Sequence, residues 1–380
     1  MARFEEVLLS QRARCEKMEN DDGFTDYAAL DKLIIGVCGG DGIGPVICAE
    51  AARVLRFMLE DEIAKGRVEI RGIEGLTIEN RLACLKAIPD EVMAQLKECH
   101  VILKGPTTTP DAGSGEPNIG SANVAMRREL DLFANMRPVS VPELGINWVF
   151  FRENTEGSYA VGDSGVSLGD FGIDFTVTTD AGSERIARLA YDYARKNGRK
   201  RVSIVTKANV IKETDGRFLN VCRRVGEECP EIVTDSWYAD ILTAKLIDPE
   251  RRSLFEVVLL PNLYGDIITD EAAQIQGGVG TAGSANIGKH YAMFEAIHGS
   301  APRMVEEGRA ACADPSSMLR AAAMLLRHTG FADKAGRLES ALDFCMFEEK
   351  KYVITGREDG CTCERFGEYL MQTLREGGLE

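Results

Sequence analysis

No run of about 20 apolar residues occurs anywhere in the 380-residue chain, so no stretch reads as a membrane-spanning helix. The opening "MARFEEVLLSQRARCEKMENDDGFTDYAALDK" lacks a long apolar core and is rich in charge, unlike a signal peptide or an anchor. Positive charge is short as well. Forty-five Lys and Arg against 60 Asp and Glu leave a net charge of −15, which argues against a nucleic-acid partner. An anionic ligand would therefore need a local cluster of arginine and lysine. A disulfide framework is missing too. The 11 cysteines are scattered, as at Cys15, Cys48, Cys84, Cys99 and Cys229, and a chain this long needs no staples; reduced thiols in the cytosol are expected. Cys361 and Cys363 stand close together, but no second Cys or His pair accompanies them to make a zinc site.

What is present is the composition of a globular protein with a sizeable core, 44% hydrophobic and 28% charged. The length suggests two domains or one large α/β unit with an insertion. A leading helix is expected at roughly 2–19. "KLIIGVCG" reads as a buried parallel strand, and "PVICAEAARVLRFMLEDEIA" as a helix with Pro45 in its first turn. The alternation continues through strand "RVEIRGI", helix "DEVMAQLKEC" and strand "HVILKGP". After the strand-like "VPELGINWVFFRENTEG" come helix "SERIARLAYDYARKNG", strand "RVSIVTK" and helix "ETDGRFLNVCRRVGEE". "SWYADILTAKLI" is expected to be helical, "EVVLLP" a strand and "PSSMLRAAAMLLRHTG" a late core helix. This pattern is α/β. The glycine-rich "YAVGDSGVSLGDFGIDFTVTTD" breaks it and reads as strands or an arm outside the main sheet, and "GGVGTAGSANIG" as a crossing between domains.

Several stretches can carry chemistry. "GGDGIGP" follows a strand and opens a helix, but its glycines miss the dinucleotide-binding spacing, which leaves a tight turn as the simpler reading. Arg127 and Arg137 stand ten apart, with Ser121 and Asn123 upstream and Arg152 in "FRENTEG". Any one arginine is more often a salt-bridge partner, but three forks beside Ser, Asn and Thr suit a small polyanion. Lys207 ends a strand, where open α/β sheets gather functional groups, although a lysine there can equally be solvated. Tyr159 lies in a polar loop and alone is as easily a packed aromatic. In "NLYGDIITDEAA", Asp266 and Asp270 share one helix face, with Asp240 upstream. Hard cations such as Mg²⁺ and Mn²⁺ favour such carboxylates, while the dipole of a helix start offers them a plainer reason to be there. "EAIHGSAP" adds His298 and a small-residue turn.

In this order, "GDGIGP", "KGPTTTP", "RENTEG", "TKANV", "NLYGDIITD", "GGVG" and "EAIHGSAP" resemble the β-decarboxylating dehydrogenases, the isocitrate, 3-isopropylmalate, homoisocitrate and tartrate enzymes, over roughly residues 33–375. The resemblance implies the isocitrate/isopropylmalate dehydrogenase-like fold, two α/β domains with a central sheet and a dimer clasp arm. A large cofactor-binding domain would comprise 33–132 and 277–380. A small dimerisation and metal domain would comprise 133–276, with the arm at about 160–182 and residues 1–32 as an extension. It implies Arg127, Arg137 and Arg152 as substrate-carboxylate arginines, Tyr159 and Lys207 as catalytic residues, and Asp240, Asp266 and Asp270 as ligands of Mg²⁺ or Mn²⁺. Thr108, Glu295, His298, Gly299, Ser300 and Ala301 would meet the NAD or NADP cofactor. It further implies a homodimer with shared active sites, in which the partner's Lys207 and the partner's Asp240 complete each centre.

Ser121, Asn123 and Arg127 fit the isocitrate-type "S-x-N-x-x-x-R", where hydroxyl and amide can hydrogen-bond a third carboxylate; isopropylmalate enzymes usually set an apolar residue there. Isocitrate is the expected substrate, with homoisocitrate or 3-isopropylmalate as alternatives, and a non-catalytic regulatory subunit as the alternative of another class. The retained Tyr159, Lys207 and three aspartates argue for a working enzyme. Three features depart from the family's usual wording. Arg303 stands where NAD-linked members carry an acid, "RMVEEGRAACADP" is about three residues long in excess with Asp314 before Pro315, and Arg357 adds a second basic residue. Arg303 and Arg357 tilt the expectation towards NADP, although Arg303 is equally readable as a solvated loop residue. "TTTPDAGSGEPNIGSAN" differs as well, at the substrate lip.

Overall fold

A computed structural model describes residues 2–20, 23–110, 115–117, 119–161, 165–278 and 282–377, without the side chains of 2 and 19. The chain divides into two compact units. One joins the N-terminal stretch up to Gly23 to Leu132–Gln276, and the other joins Phe24–Asp131 to Gly277 and beyond.

The second unit holds β1 (Leu33–Cys38), β2 (Val68–Ile73) and β3 (Val101–Lys104), with β11 (Gly283–Ile287) and β12 (Ala292–Ala296) supplied by the returning chain. Their order is β2-β1-β3-β12-β11, parallel except for the β11–β12 pair. The first unit holds β4 (Ala134–Val141), β5 (Ile146–Glu153), β8 (Arg201–Thr206), β9 (Val233–Tyr238) and β10 (Val257–Leu260), ordered β4-β5-β10-β8-β9. Here β5, β10, β8 and β9 run parallel, and β4 lies antiparallel to β5. Runs such as "VILK" and "VVLL" are buried at every position, as parallel strands covered on both faces must be. In the first unit Trp148, Phe150, Leu242, Leu246, Phe255, Val258, Leu260 and Ile268 pack into one cluster. The eleven cysteines are free thiols.

Several local expectations need correction. "SWYADILTAKLI" is not one helix: Ser236, Trp237 and Tyr238 finish β9, and the helix spans Ala239–Ile247. Trp237 packs edge-on against Phe255 at 5.5 Å, a cross-element contact that a single run of sequence cannot reveal. "GGVGTAGSANIG" does begin where the chain passes from one unit to the other, after Gln276; residues 279–281 lie outside the described residues, and 283–287 form β11. Its small side chains are needed for packing: a Cβ on Gly283 would stand 2.5 Å from the backbone nitrogen of Ala321. "VPELGINWVFFRENTEG" is interrupted by a turn at Pro142–Leu144, and β4 precedes it unannounced because Pro138 disguises the strand. The arm carries a hairpin, β6 (Val166–Leu168) with β7 (Phe171–Ile173). A helix starts at Asp180, capped by the Thr179 hydroxyl, so the arm ends earlier than 182; residues 162–164 lie outside the described residues. No described helix is long and apolar enough to cross a membrane.

Candidate active site

In the first unit β10 ends at Leu260, and Pro261 turns the chain into the helix Asn262–Ile275. This sets Asp266 and Asp270 one turn apart. Arg152, at the end of β5, reaches the helix along Gly265, where a Cβ would stand 2.4 Å from the arginine's Cγ; glycine in "NLYGD" makes room for that side chain. The Arg152 guanidinium donates to Oδ1 of Asp266 and, at 2.7 and 3.1 Å, to Oδ1 of Asn262. The Tyr159 hydroxyl donates at 2.8 Å to Oδ2 of the same Asp266. One turn on, Arg137 donates at 2.7 Å to both Asp270 and the Thr269 hydroxyl. Arg152 is buried, whereas the Asp270 side chain is 61% exposed and Asp266 37% exposed, so the carboxylates face outward from an arginine-backed floor. Five of the expected residues are thereby brought together.

Lys207 and Asp240 form a second pair in this unit, the ammonium 2.5 Å from Oδ1 of Asp240. That hydrogen bond, above all, holds the Asp240 carboxyl below the usual carboxylate range. Asp215 accepts the backbone N–H of Lys207 at 2.6 Å and is hydrogen-bonded by Tyr264, which fixes the turn that follows β8. Among the described residues no three His, Cys, Asp or Glu side chains gather into a group able to hold a metal ion. Asp266 and Asp270 offer oxygen donors alone, the set that suits Mg²⁺ or Mn²⁺, and a full shell needs further oxygens from outside the pair.

In the second unit "GGDGIGP" folds tightly against "HGSAP". Gly42 has φ +60°, and a Cβ there would stand 1.9 Å from the Ser300 carbonyl oxygen, which accepts the Ile43 N–H at 3.0 Å. Asp41 accepts the backbone N–H groups of Thr108 and Ile78, each at 2.7 Å, and the Thr108 and Ser300 hydroxyls meet at 2.8 Å. His298, Gly299, Ala301 and Asp314 line a cavity of about 420 Å³ with Ile43, Met304, Ile354, Thr355 and Gly356. Ala301 holds φ 47°, a left-handed conformation rare outside glycine, at the mouth of this loop. The Arg303 side chain is 84% exposed and pairs with Glu307; Arg357 lies in the turn after Thr355 and Gly356.

Glu295 differs from the expected loop position. It sits in β12 with its carboxylate buried against Lys104 (3.3 Å), Arg127 (3.4 Å) and Asn286 (2.8 Å). Burial alone would raise this carboxyl, but the two cations outweigh it and bring it down to about 2. Arg127 is therefore aimed by Glu295 and Asn286. The Ser121 hydroxyl caps the helix Ala122–Glu129, and the Asn123 amide accepts from Thr107 at 3.1 Å. Lys104, Asn286, Asp41, Asn262 and Asp215 were not foreseen. Lys104, Asp41 and Asn262 lie inside motifs already singled out and Asn286 inside the glycine-rich stretch 277–288, whereas Asp215 carries no local signal.

Residues 34–370 match the family model for isocitrate/isopropylmalate dehydrogenase. An isocitrate dehydrogenase [NADP] of Rickettsia prowazekii (strain Madrid E) is 38% identical over 81% of this chain, which spans 62% of that relative's length. The mitochondrial isocitrate dehydrogenase [NAD] subunit alpha of Macaca fascicularis is 35% identical over 93% of this chain and 98% of its own. Among solved structures, isocitrate dehydrogenase from Methylococcus capsulatus superposes with a TM-score of 0.76 at 33% identity, covering 90% of this chain and 99% of that one. The chain belongs to the isocitrate/isopropylmalate dehydrogenase family.

Proposed function

We propose that the chain is a metal-dependent isocitrate dehydrogenase, oxidising isocitrate to 2-oxoglutarate and CO₂ with reduction of NADP or NAD. The observation that carries this reading is the convergence of the Arg152 guanidinium and the Tyr159 hydroxyl on Asp266, with Arg137 holding Asp270 beside it. Carboxylate-binding cations, a proton donor and two hard oxygen ligands share one patch.

Asp266 and Asp270, with Asp240 of the partner subunit, would hold the ion. When bound, Mg²⁺ or Mn²⁺ supplies Lewis-acid polarisation of the substrate hydroxyl, and the nicotinamide accepts the hydride. Arg127, Arg137 and Arg152 grip substrate carboxylates with two-point geometry, and Ser121 and Asn123 select the third carboxylate. Lys207 of the partner subunit, through a water or a neighbouring acid, helps remove the hydroxyl proton. Tyr159, oriented by its hydrogen bond to Asp266, returns a proton to the carbon that has lost CO₂. In support of a homodimer, Leu263 and Ile267 on the helix Asn262–Ile275, and Ile241 and Ile247 on the helix Ala239–Ile247, are exposed by 44–61%. The arm hairpin likewise exposes Leu168, Phe171 and Ile173.

The cavity bounded by His298, Gly299, Ala301 and Asp314 suits the adenosine end of the cofactor, with Thr108 towards its nicotinamide end. The exposed Arg303, near its rim, favours a 2′-phosphate and hence NADP. Initial rates on isocitrate, homoisocitrate and 3-isopropylmalate test the reading; fastest turnover of 3-isopropylmalate would overturn it.

A further inference from the structure

The helix Ala2–Glu19 precedes the residues that match the family model, yet it is tied into the first unit. Val7 is buried, and the Phe4 ring lies 6.1 Å from Phe175. Arg14 turns inward: its guanidinium donates to the Glu156 carboxylate and, at 3.4 Å, to the Thr155 hydroxyl. The Glu156 side chain is 3% exposed.

The gripped segment lies between Arg152 and Tyr159, and its packing is unusual in charge. Glu153 and Glu156 are both buried and only three positions apart. The Glu153 carboxylate accepts the N–H groups of Thr155 at 2.9 Å and Glu156 at 2.5 Å, while Glu156 accepts from Thr179. Burial, and then the neighbouring Glu156 charge, push Glu153 upward, and Arg185 opposes this from the helix Asp180–Lys196. Among the described residues, Arg14 is a cation that reaches Glu156 itself. The backbone carbonyl of Glu156 accepts from Asn262 at 3.1 Å, and the same Asn262 side chain receives Arg152 at 2.7 Å. A short chain of hydrogen bonds thus runs from the N-terminal helix to the Arg152 guanidinium.

We infer that Arg14 is a positioning residue: through Glu156, the N-terminal helix holds the turn on which Arg152 and Tyr159 are mounted. Removing one member of a buried ion pair leaves the other charge uncompensated, and the turn must shift to hydrate it. The claim that this shift reaches substrate rests on the isocitrate reading above.

The test compares wild type, Arg14→Met, Arg14→Lys and Arg12→Met in the full-length protein. Arg12 is a control on the same helix, its side chain 79% exposed. Arg14→Met is expected to raise KM for isocitrate about tenfold with little change in kcat, and Arg14→Lys to restore most of the loss. Arg12→Met should match wild type. A folded Arg14→Met protein with wild-type KM, or one that only melts earlier, overturns the proposal. Hydrogen exchange over residues 153–159 gives a readout independent of turnover. Faster exchange in Arg14→Met than in Arg12→Met sustains the positioning role even if isocitrate proves not to be the substrate; equal exchange overturns it.

Discussion

Tyr159 and Arg152 meet on opposite oxygens of one carboxylate, the hydroxyl at 2.8 Å from Oδ2 of Asp266 and the guanidinium on Oδ1. Asp266 therefore sets the direction of the proposed proton donor and of the proposed substrate anchor together. If Tyr159 protonates carbon, Tyr159→Phe should lower kcat by roughly 10²–10⁴ while KM for isocitrate stays within about threefold. Steady-state rates decide this, and a kcat within tenfold of wild type would remove Tyr159 from the chemistry.

The metal assignment has its own readout. Asp266→Asn keeps the size of the side chain but removes its charge and one of its two oxygen donors. Calorimetric titration with Mn²⁺ should show binding weakened at least about tenfold, with Mn²⁺-dependent turnover lost and the circular dichroism spectrum retained. Unchanged Mn²⁺ affinity would rule the residue out as a ligand.

Sharing of sites between subunits can be examined by mixing. Tyr159→Phe and Lys207→Met should each be inactive alone. Unfolded together and refolded, they should regain up to about a quarter of wild-type activity, because half the dimers are mixed and each of these has one intact site. No recovery, with mixed dimers demonstrated, would place both residues in the same subunit's centre.

His328, in the second unit, adds its own contribution to the response to acid. It is packed against the rings of Tyr27 at 5.1 Å and Phe294 at 5.5 Å, and burial lowers its pKa to about 4. The fold favours the neutral ring, so the unfolded chain takes up the proton first. The contribution of His328 to stability is constant above about pH 6.5 and falls as the pH drops towards 4, by up to about 3 kcal/mol. Urea denaturation across that range should show the slope reduced in His328→Phe; an identical slope would assign the acid sensitivity elsewhere.

The α/β alternation was legible because parallel strands here are unbroken apolar runs, "LIIGVC", "VILK" and "VVLL", that need no partner to be recognised. The strand β11, "GSANI", was hidden for the opposite reason: its small residues are dictated by the helix packed on it. In the candidate site, motif order drew attention to Arg137, Arg152, Tyr159, Asp266 and Asp270, which one unit brings together. Spacing said nothing about what aims them. Asn262, Glu295 and Arg14 act across 110, 168 and 142 positions of sequence, on Arg152, Arg127 and Glu156 respectively. Such partners are chosen by the fold: Asn262 and Glu295 stand inside motifs, but no local pattern says which residue each one aims.

The substrate is tested head-on by initial rates of cofactor reduction with DL-isocitrate and Mn²⁺, in parallel with NADP and NAD. Mn²⁺-dependent turnover of isocitrate with release of CO₂ is expected, faster with NADP than with NAD. Absence of turnover by the folded protein with either cofactor and either metal would contradict it and point instead to a non-catalytic subunit of a heteromeric assembly.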